Sequence, residues 1–219
     1  MKKMSNYELA YVTLKKMIAE RKILPGQQIV ESAFAKSLGI SRTPVRETLK
    51  RLEEEGLIDS IPNKGSYVKI ISYADLADSY EVIEGIMALT YKLLAEHVQC
   101  GKLEVGELSE LKKIAQALFD LYSAGSIVSW IQADIEFHQK MVSLTGNAHL
   151  TKTYENMKSS INQVLWHITP NVVDIGLSAE EHFEIIQVIE QGDVQKSILI
   201  GHRHNGRIVG QIRELQERF

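Results

Sequence analysis

A carboxylate and an imidazole lie four residues apart within an otherwise apolar segment of this sequence. If residues 127–145 form a helix, Asp134 and His138 share one face with Ile131 and Met141. An aspartate on such a face is costly to bury unless it has a partner. Carboxylate and neutral imidazole suit Zn, Ni or Mn. The pair therefore predicts either a divalent-metal site or a core histidine satisfied by hydrogen bonds, which is the commoner arrangement for a single buried histidine.

Further histidines in the C-terminal half shift the balance towards a metal site. His182 falls on the same predicted helical stripe as Ile185 and Ile189, so its ring also points towards the core. The remaining ligand is harder to choose, because His202 and His204 lie two residues apart, about 200° around a helix. Each lies beside the apolar stripe of its helix rather than at its centre. Periodicity therefore leaves both histidines open.

Two arginines near the N-terminus have the spacing for another chemistry, the reading of DNA. The segment Ser41-Arg42-Thr43-Pro44-Val45-Arg46 begins a predicted helix and places both arginines on one face, one turn apart. Arginine donates paired hydrogen bonds to O6 and N7 of guanine, whereas hydroxyls and helix N-termini favour phosphate oxygens. Taken alone, this spacing is more typical of a solvated basic helix start. The surrounding elements are what favour DNA binding.

These arginines lie within the pattern of a winged helix-turn-helix. The predicted elements are helices at 6–22, at 31–38 and from 41 onward, followed by strands at 57–61 and 66–70. Ala35, Gly39 and Val45 have the spacing of a small residue at a helix contact, a glycine in the turn and an apolar anchor of the second helix. The strands flank the turn at 62–65 and form a small β-hairpin, the wing. We expect residues 1–71 to form this DNA-binding domain.

Beyond Ser72 the sequence shows only helical periods. Helices are predicted at 73–99, 104–123, 127–145, 148–168, 179–191 and 193–217. Ser178-Ala179-Glu180-Glu181 fits a capping box at the start of the fifth. We expect residues 72–219 to form an all-α six-helix bundle, so the chain as a whole is mainly α.

Charge is divided between the two predicted domains. Residues 1–71 hold 13 Lys and Arg against 8 Asp and Glu, whereas the rest holds 12 against 20. A basic N-terminal part suits a polyanion such as double-stranded DNA. No run of 18 apolar residues is present and Cys100 is the only cysteine. These features predict a cytoplasmic location without membrane attachment and exclude an intrachain disulfide.

The N-terminal motifs resemble the GntR family of bacterial transcription regulators. The resemblance rests on Leu24-Pro25-Gly26-Gln27, on residues 38–47 and on residues 52–57. It implies that Arg42, Thr43 and Arg46, beside the Ser41 hydroxyl, contact the operator and that Lys64 and Gly65 at the wing tip reach the minor groove. It also implies a homodimer on a near-palindromic site. Ser32 departs from the family, because some members carry a base-reading arginine there.

The C-terminal half resembles the FCD sensor domain of the FadR branch of that family. The matching segments are residues 134–138, residues 181–186, Gly192-Asp193 and the histidine 22 residues after His182. The resemblance implies that Asp134, His138, His182 and His204 hold a divalent transition metal. At Tyr80-Glu81-Val82-Ile83, Ile83 replaces the arginine common in the first sensor helix. A small-molecule effector, with a carboxylate metabolite as one hypothesis, follows from the resemblance, and its binding residues stay unknown.

Together the motifs predict a ligand-responsive transcription regulator rather than an enzyme. The resemblance implies a repressor, the usual role in this family. One alternative is a bundle that only dimerises and contains a structural metal. The other is a metal-dependent hydrolase in which the same four residues activate water. Against the hydrolase, the sequence has no Gly-x-Ser-x-Gly motif and no phosphate-binding glycine loop.

Overall fold

The helix-turn-helix forms where the sequence predicts it. The computed structural model describes residues 4–70, 72–157, 161, 162, 166 and 174–218. Its first three helices are α1 at Asn6–Ala19, α2 at Glu31–Leu38 and α3 at Arg42–Glu54. Gly39 ends α2 in a left-handed conformation (φ 65°), which glycine adopts without a Cβ clash. Ala35 and Val45 are buried, as the spacing predicts.

Helix α1 is shorter than predicted. It begins at a capping box, in which the Ser5 hydroxyl accepts from the backbone N–H of Glu8 (3.1 Å) and the Glu8 carboxylate accepts from the N–H of Ser5 (2.7 Å). It ends at Ala19 rather than at residue 22, because Arg21 takes a left-handed conformation (φ 51°). The N–H of Lys22 then donates back to the carbonyl of Met17, a common way to end a helix.

The wing is a three-stranded antiparallel sheet rather than a lone hairpin. Strands β2 (Ile58–Ile61) and β3 (Gly65–Val68) form the predicted hairpin, and β1 (Gln28–Ile29) adds to the other side of β3. Strand β1 was not predicted, because two residues are too few to show the alternation of a strand. The side-chain amide of Gln28 donates to the carbonyl of Lys64 (2.7 Å) and so ties β1 to the wing tip.

One compact unit consists of residues 1–72 together with 158–171. Lys15 is buried, and its Nζ lies 2.8 Å from Oε2 of Glu55. The same ammonium group lies 4.1 Å from the centroid of the Trp166 ring. The side-chain amide of Asn162 donates to the carbonyl of Glu55 (3.3 Å). A buried ammonium needs such partners. The sequence places Asn162 and Trp166 in a helix at 148–168 of the second domain, but in the structure they pack in the first unit.

The other unit, residues 73–157 and 172–219, is helical throughout its described part. Its helices are α4 (Tyr73–Gln99), α5 (Ser109–Ser123) after a 3₁₀ turn at Val105–Leu108, α6 (Ile127–Leu144), α7 (Ala148–Asn156), α8 (Ile175–Glu190) and α9 (Val194–Arg218). Most of the predicted helix beyond Met157 lies outside the described residues. Among those that are described, no helix is both long enough and apolar enough to cross a membrane.

The predicted start of α8 was wrong by four residues. Asp174 caps this helix by accepting from the N–H of Leu177 (3.0 Å), so α8 begins at Ile175. Ser178 is therefore not a cap but a buried residue within the first turns. Its hydroxyl accepts a hydrogen bond from Arg207 of α9 (2.8 Å). A serine followed by glutamates gives the same local pattern in both situations.

Helices α4 and α9 approach each other closely at Gly201, and we expect Gly201→Ala to be strongly destabilising. A Cβ at this position would overlap Cδ2 and Cε2 of Tyr91, whose ring is fully buried. Overpacking of this kind costs about 1–3 kcal/mol. Urea unfolding should show a lowered midpoint. In the matched variant Gly210→Ala, on the same helix with open space around it, stability should be unchanged or raised. Equal stability of the two variants would contradict the close packing.

Candidate functional site

The six residues predicted to contact DNA all lie at the surface of the first unit. They are Ser41, Arg42, Thr43, Arg46, Lys64 and Gly65. Val45 and Leu49 lie on the buried face of α3, and Arg42 and Arg46 are exposed along the edge of that face. The Ser41 side chain makes no capping hydrogen bond, so α3 itself does not use its hydroxyl. The exposed side of α3 therefore offers two guanidinium groups and two hydroxyls.

A carboxylate that the sequence analysis did not single out holds both arginines. Oε2 of Glu31, at the start of α2, accepts from Nη2 of Arg42 and from Nε of Arg46, each at 2.9 Å. These two hydrogen bonds, that of Arg42 first, lower the pKa of Glu31. Glu31 precedes the arginines by 11 and 15 residues, and only the packing of α2 against α3 brings the three together. No short motif signals that contact.

A groove of about 380 Å³ separates α3 from the wing. Its lining includes Arg46 and Lys50 from α3 and Asn63 and Gly65 from the turn between β2 and β3. Asn63 and Gly65 both have positive φ, 61° and 101°, so the turn is tightly bent at its tip. A basic helix face and an exposed turn thus border one groove.

Three histidines meet in the interior of the second unit. His138 of α6, His182 of α8 and His204 of α9 are all buried, and one ring nitrogen of each lies within 4.8 Å of the others. The Nε2 atoms of His138 and His182 are 3.3 Å apart. Oδ1 of Asp134 lies 3.8 Å from the first and 3.4 Å from the second. The four predicted metal ligands are thus neighbours in one cluster.

The structure brings His204, and not His202, to this cluster. His204 is 1% exposed, whereas the side chain of His202 is 50% exposed and its Nδ1 lies 2.7 Å from Oε1 of Glu84 on the surface. The two rings leave α9 in opposite directions, as their two-residue spacing requires. The packing of α9 decides which of the two faces inward.

Burial controls protonation within the cluster. It lowers the pKa of His138 to about 3, assisted by the nearby His204, and lowers those of His182 and His204. It raises the pKa of Asp134 to about 7. Imidazoles with lowered pKa values are neutral at physiological pH and keep a lone pair for a metal.

An unsatisfied polar atom of His204 agrees with a metal-binding role. Its Nε2 is buried and has no hydrogen-bond partner among the described residues. Nδ1 of His138 and Nδ1 of His182 are also without a partner, but it is the Nε2 atoms of these two rings that lie near Asp134. Buried nitrogens without partners are rare and call for an explanation. Three neutral imidazoles beside a carboxylate are a donor set that can hold a divalent transition metal.

A second carboxylate orients His204. Oε2 of Glu181 lies 2.7 Å from Nδ1 of His204 and accepts from Nη2 of Arg207 at 2.7 Å. Burial opposes ionisation of Glu181, but the hydrogen bonds with His204 and Arg207 outweigh it and lower its pKa to about 2. Because Glu181 occupies Nδ1, Nε2 of His204 is the ring atom left for a ligand, an arrangement common around metal-binding histidines.

A cation therefore lies next to the histidine cluster, although Ile83 supplies none. Ile83 is buried in α4. Nε and Nη1 of Arg207 are buried and, within the described part of the chain, have no hydrogen-bond partner. Arg207 was not predicted from the sequence, because an arginine three residues after His204 on a polar stretch of α9 resembles any solvated charge.

Comparison with protein families matches both halves of the chain. The profile described as the bacterial regulatory proteins of the gntR family matches residues 6–68. The profile of the FCD domain matches residues 78–206, more than half of the chain. The histidine cluster lies within the second match and the arginine pair within the first.

Individual proteins show the same similarity over most of their length. The chain is 24% identical to the HTH-type transcriptional repressor RspR of Escherichia coli, over 94% of this chain and 89% of the relative. It is 28% identical to an HTH-type transcriptional regulator from an unstable DNA locus of Streptomyces ambofaciens, over 84% and 75%. The solved structure of E. coli McbR/YncC matches with a TM-score of 0.66 at 16% identity, over 97% and 99%, which shows the fold.

Proposed function

Because the chain belongs to the gntR family of bacterial regulatory proteins and carries an FCD domain, we propose that it is a repressor whose binding to its operator is controlled by a metal-containing effector site. Membership makes it a DNA-binding transcription regulator rather than an enzyme. The observation that carries the finer proposal is the buried cluster of His138, His182 and His204, which a simple DNA-binding module does not need.

Residues 1–71 form the DNA-binding domain in this proposal. Arg42 and Arg46 enter the major groove from the exposed side of α3, with Ser41 and Thr43 on the flanking phosphates. Lys64 and Gly65, at the tip of the wing, reach the minor groove. The exposure of all six residues supports the assignment.

We assign residues 72–219 to the sensor and dimerisation domain, apart from the segment 158–171, which belongs to the first unit. A homodimer on a near-palindromic operator matches the two-fold symmetry of protein and DNA. Two exposed apolar side chains of α4, Val82 (53%) and Leu89 (40%), lie two turns apart on one face and support a partner there.

Asp134, His138, His182 and His204 hold the metal, which we assign to Zn, Ni or Mn. A metal held by these residues would supply a positive charge and Lewis acidity. Glu181 keeps His204 oriented for it. A metal near the partly buried guanidinium of Arg207 would favour an anionic effector, so a carboxylate metabolite is the class that we propose.

The effector acts on DNA affinity only through a difference in its own affinity for two conformations of the dimer. An effector that prefers the conformation that fits the operator poorly releases the DNA. The alternatives are a metal that only stabilises a dimerisation bundle and a metal-dependent hydrolase. The family membership argues against the hydrolase, and the response of His182→Ala to an effector separates sensing from stabilisation.

Metal analysis of the purified protein, together with salt-dependent gel shifts on the DNA upstream of its own coding region, tests the proposal. We expect about one divalent metal per chain, and specific binding that weakens steeply with salt as phosphate contacts release counterions. Absence of metal would remove the sensor half of the proposal. Binding no tighter than to a scrambled duplex would remove the DNA half.

A further inference from the structure

We infer that Glu31 determines DNA specificity by orienting Arg46 towards guanine and by disfavouring complexes with non-specific DNA. The inference rests on the proposed function, since it assumes that Arg42 and Arg46 read the operator. Neither the motif nor the family comparison assigns Glu31 a role; the contact between its carboxylate and the two arginines does.

The two arginines bind Glu31 through different donor atoms. Arg46 donates to Glu31 through Nε, and among the described residues its two terminal nitrogens make no hydrogen bond. Those terminal nitrogens are one of the donor pairs that fit O6 and N7 of guanine. Arg42 donates instead through one terminal nitrogen, Nη2, so its own terminal pair is partly occupied. Arg46 therefore keeps both terminal nitrogens for a base, whereas Arg42 keeps only one.

The contact with Glu31 also holds the Arg46 side chain in one orientation before DNA binds. A free arginine side chain loses rotamer freedom when it binds a base, and a side chain already held in one orientation loses less. The side chains of Arg42 and Arg46 are 57% and 61% exposed, whereas that of Glu31 is only 29% exposed. The carboxylate is thus the better fixed partner. It also lies in the first turn of α2, where the helix dipole favours a negative charge.

The negative charge of Glu31 affects specific and non-specific DNA complexes differently. In a non-specific complex the arginines bind phosphates wherever they can reach them. Phosphates that lie off the direction in which Glu31 holds the two guanidinium groups can be reached only if the arginines leave Glu31, and the uncompensated carboxylate then faces a polyanion. In the specific complex Arg46 contacts guanine while it keeps its bond to Glu31. The carboxylate therefore penalises non-specific complexes more than the specific one.

The absence of an arginine at position 32 increases the dependence on this pair. Ser32 is exposed on α2, one residue after Glu31, and cannot make the bidentate contact of an arginine. Base reading from the two helices then falls mainly to Arg42 and Arg46. Their orientation matters more as a consequence.

Fluorescence anisotropy on operator and scrambled duplexes, at several salt concentrations, tests this inference with Glu31→Ala and the isosteric Glu31→Gln. We expect Glu31→Ala to bind the scrambled duplex several-fold more tightly, with a salt slope steeper by about one unit per new phosphate contact. Its preference for the operator should fall by about tenfold, less than the loss expected when a bidentate base contact is removed from each subunit. Glu31→Gln keeps an acceptor oxygen and should fall between wild type and Glu31→Ala.

The matched control is Glu47→Gln, which removes one exposed carboxylate from α3 where, among the described residues, that carboxylate makes no hydrogen bond. Its loss should strengthen binding to both duplexes equally and leave their ratio unchanged. The inference is overturned if Glu31→Ala keeps the wild-type ratio or changes it no more than Glu47→Gln does. If Arg46→Ala also keeps the wild-type preference, or wild type has none, the proposed function itself has failed.

Discussion

Replacement of Arg46 by alanine is expected to abolish specific recognition of the operator while the protein stays folded. Its side chain is 61% exposed, so its removal leaves no cavity in the core. A bidentate contact from arginine to guanine is worth about 1–3 kcal/mol, and a homodimer loses two of them. The preference for the operator should therefore fall by about 2–6 kcal/mol, on the order of 30-fold to 10⁴-fold. Gel shifts with operator and scrambled duplexes measure it.

Lys50→Ala provides the control for loss of charge alone. Lys50 is exposed on α3 and lines the same groove between α3 and the wing, but it lies one further turn from the helix start. We expect it to weaken binding to both duplexes alike and to lower the salt slope by about one unit for each lost phosphate contact. If Arg46→Ala behaved in this uniform way, Arg46 would contact phosphate rather than a base.

Replacement of His182 by alanine is expected to remove the bound metal and the stability that comes with it. His182 is fully buried at the centre of the cluster, in contact with both His138 and Asp134. A ligand present at a thousand times its Kd stabilises a protein by about 4 kcal/mol, which for a chain of this size corresponds to on the order of 10 °C in Tm. Metal analysis and thermal melts with and without metal should show both losses.

His202→Ala is the matched control, because it removes a histidine of α9 that lies at the surface beside Glu84. It should keep the metal and the metal-dependent rise in Tm. Asp134→Asn changes a proposed ligand with hardly any change in side-chain volume. Loss of metal from this variant therefore could not come from a cavity of the kind that His182→Ala leaves. A wild-type rise in Tm that persists in His182→Ala would contradict the assignment of this residue as a ligand.

The same variant separates a sensor from a structural ion. If His182→Ala folds and binds the operator but no longer responds to an anionic effector, the metal belongs to a sensing site. If it unfolds like wild type treated with a chelator, the metal holds the bundle together. Circular dichroism and gel shifts on one preparation distinguish these outcomes.

Local sequence was sufficient for the parts of the site that lie within one element. The one-turn spacing of Arg42 and Arg46, and that of Asp134 and His138, fix which side chains share a helix face whatever surrounds the helix. Gly39 likewise marks the turn by itself, because few residues accept its backbone conformation. The winged helix-turn-helix and the helical second half were predictable for this reason.

Contacts between elements were decided by tertiary packing alone. His202 and His204 both flank the apolar stripe of α9, and only the packing of that helix turns His204 inward. Glu31 reaches Arg46 across the α2–α3 turn, and Arg207 reaches Glu181 from another helix. The sequence by itself determined which residues share a face, since that follows from backbone periodicity. Which faces meet depends on how side chains far apart in the chain fill a common core, and only the folded structure contains that information.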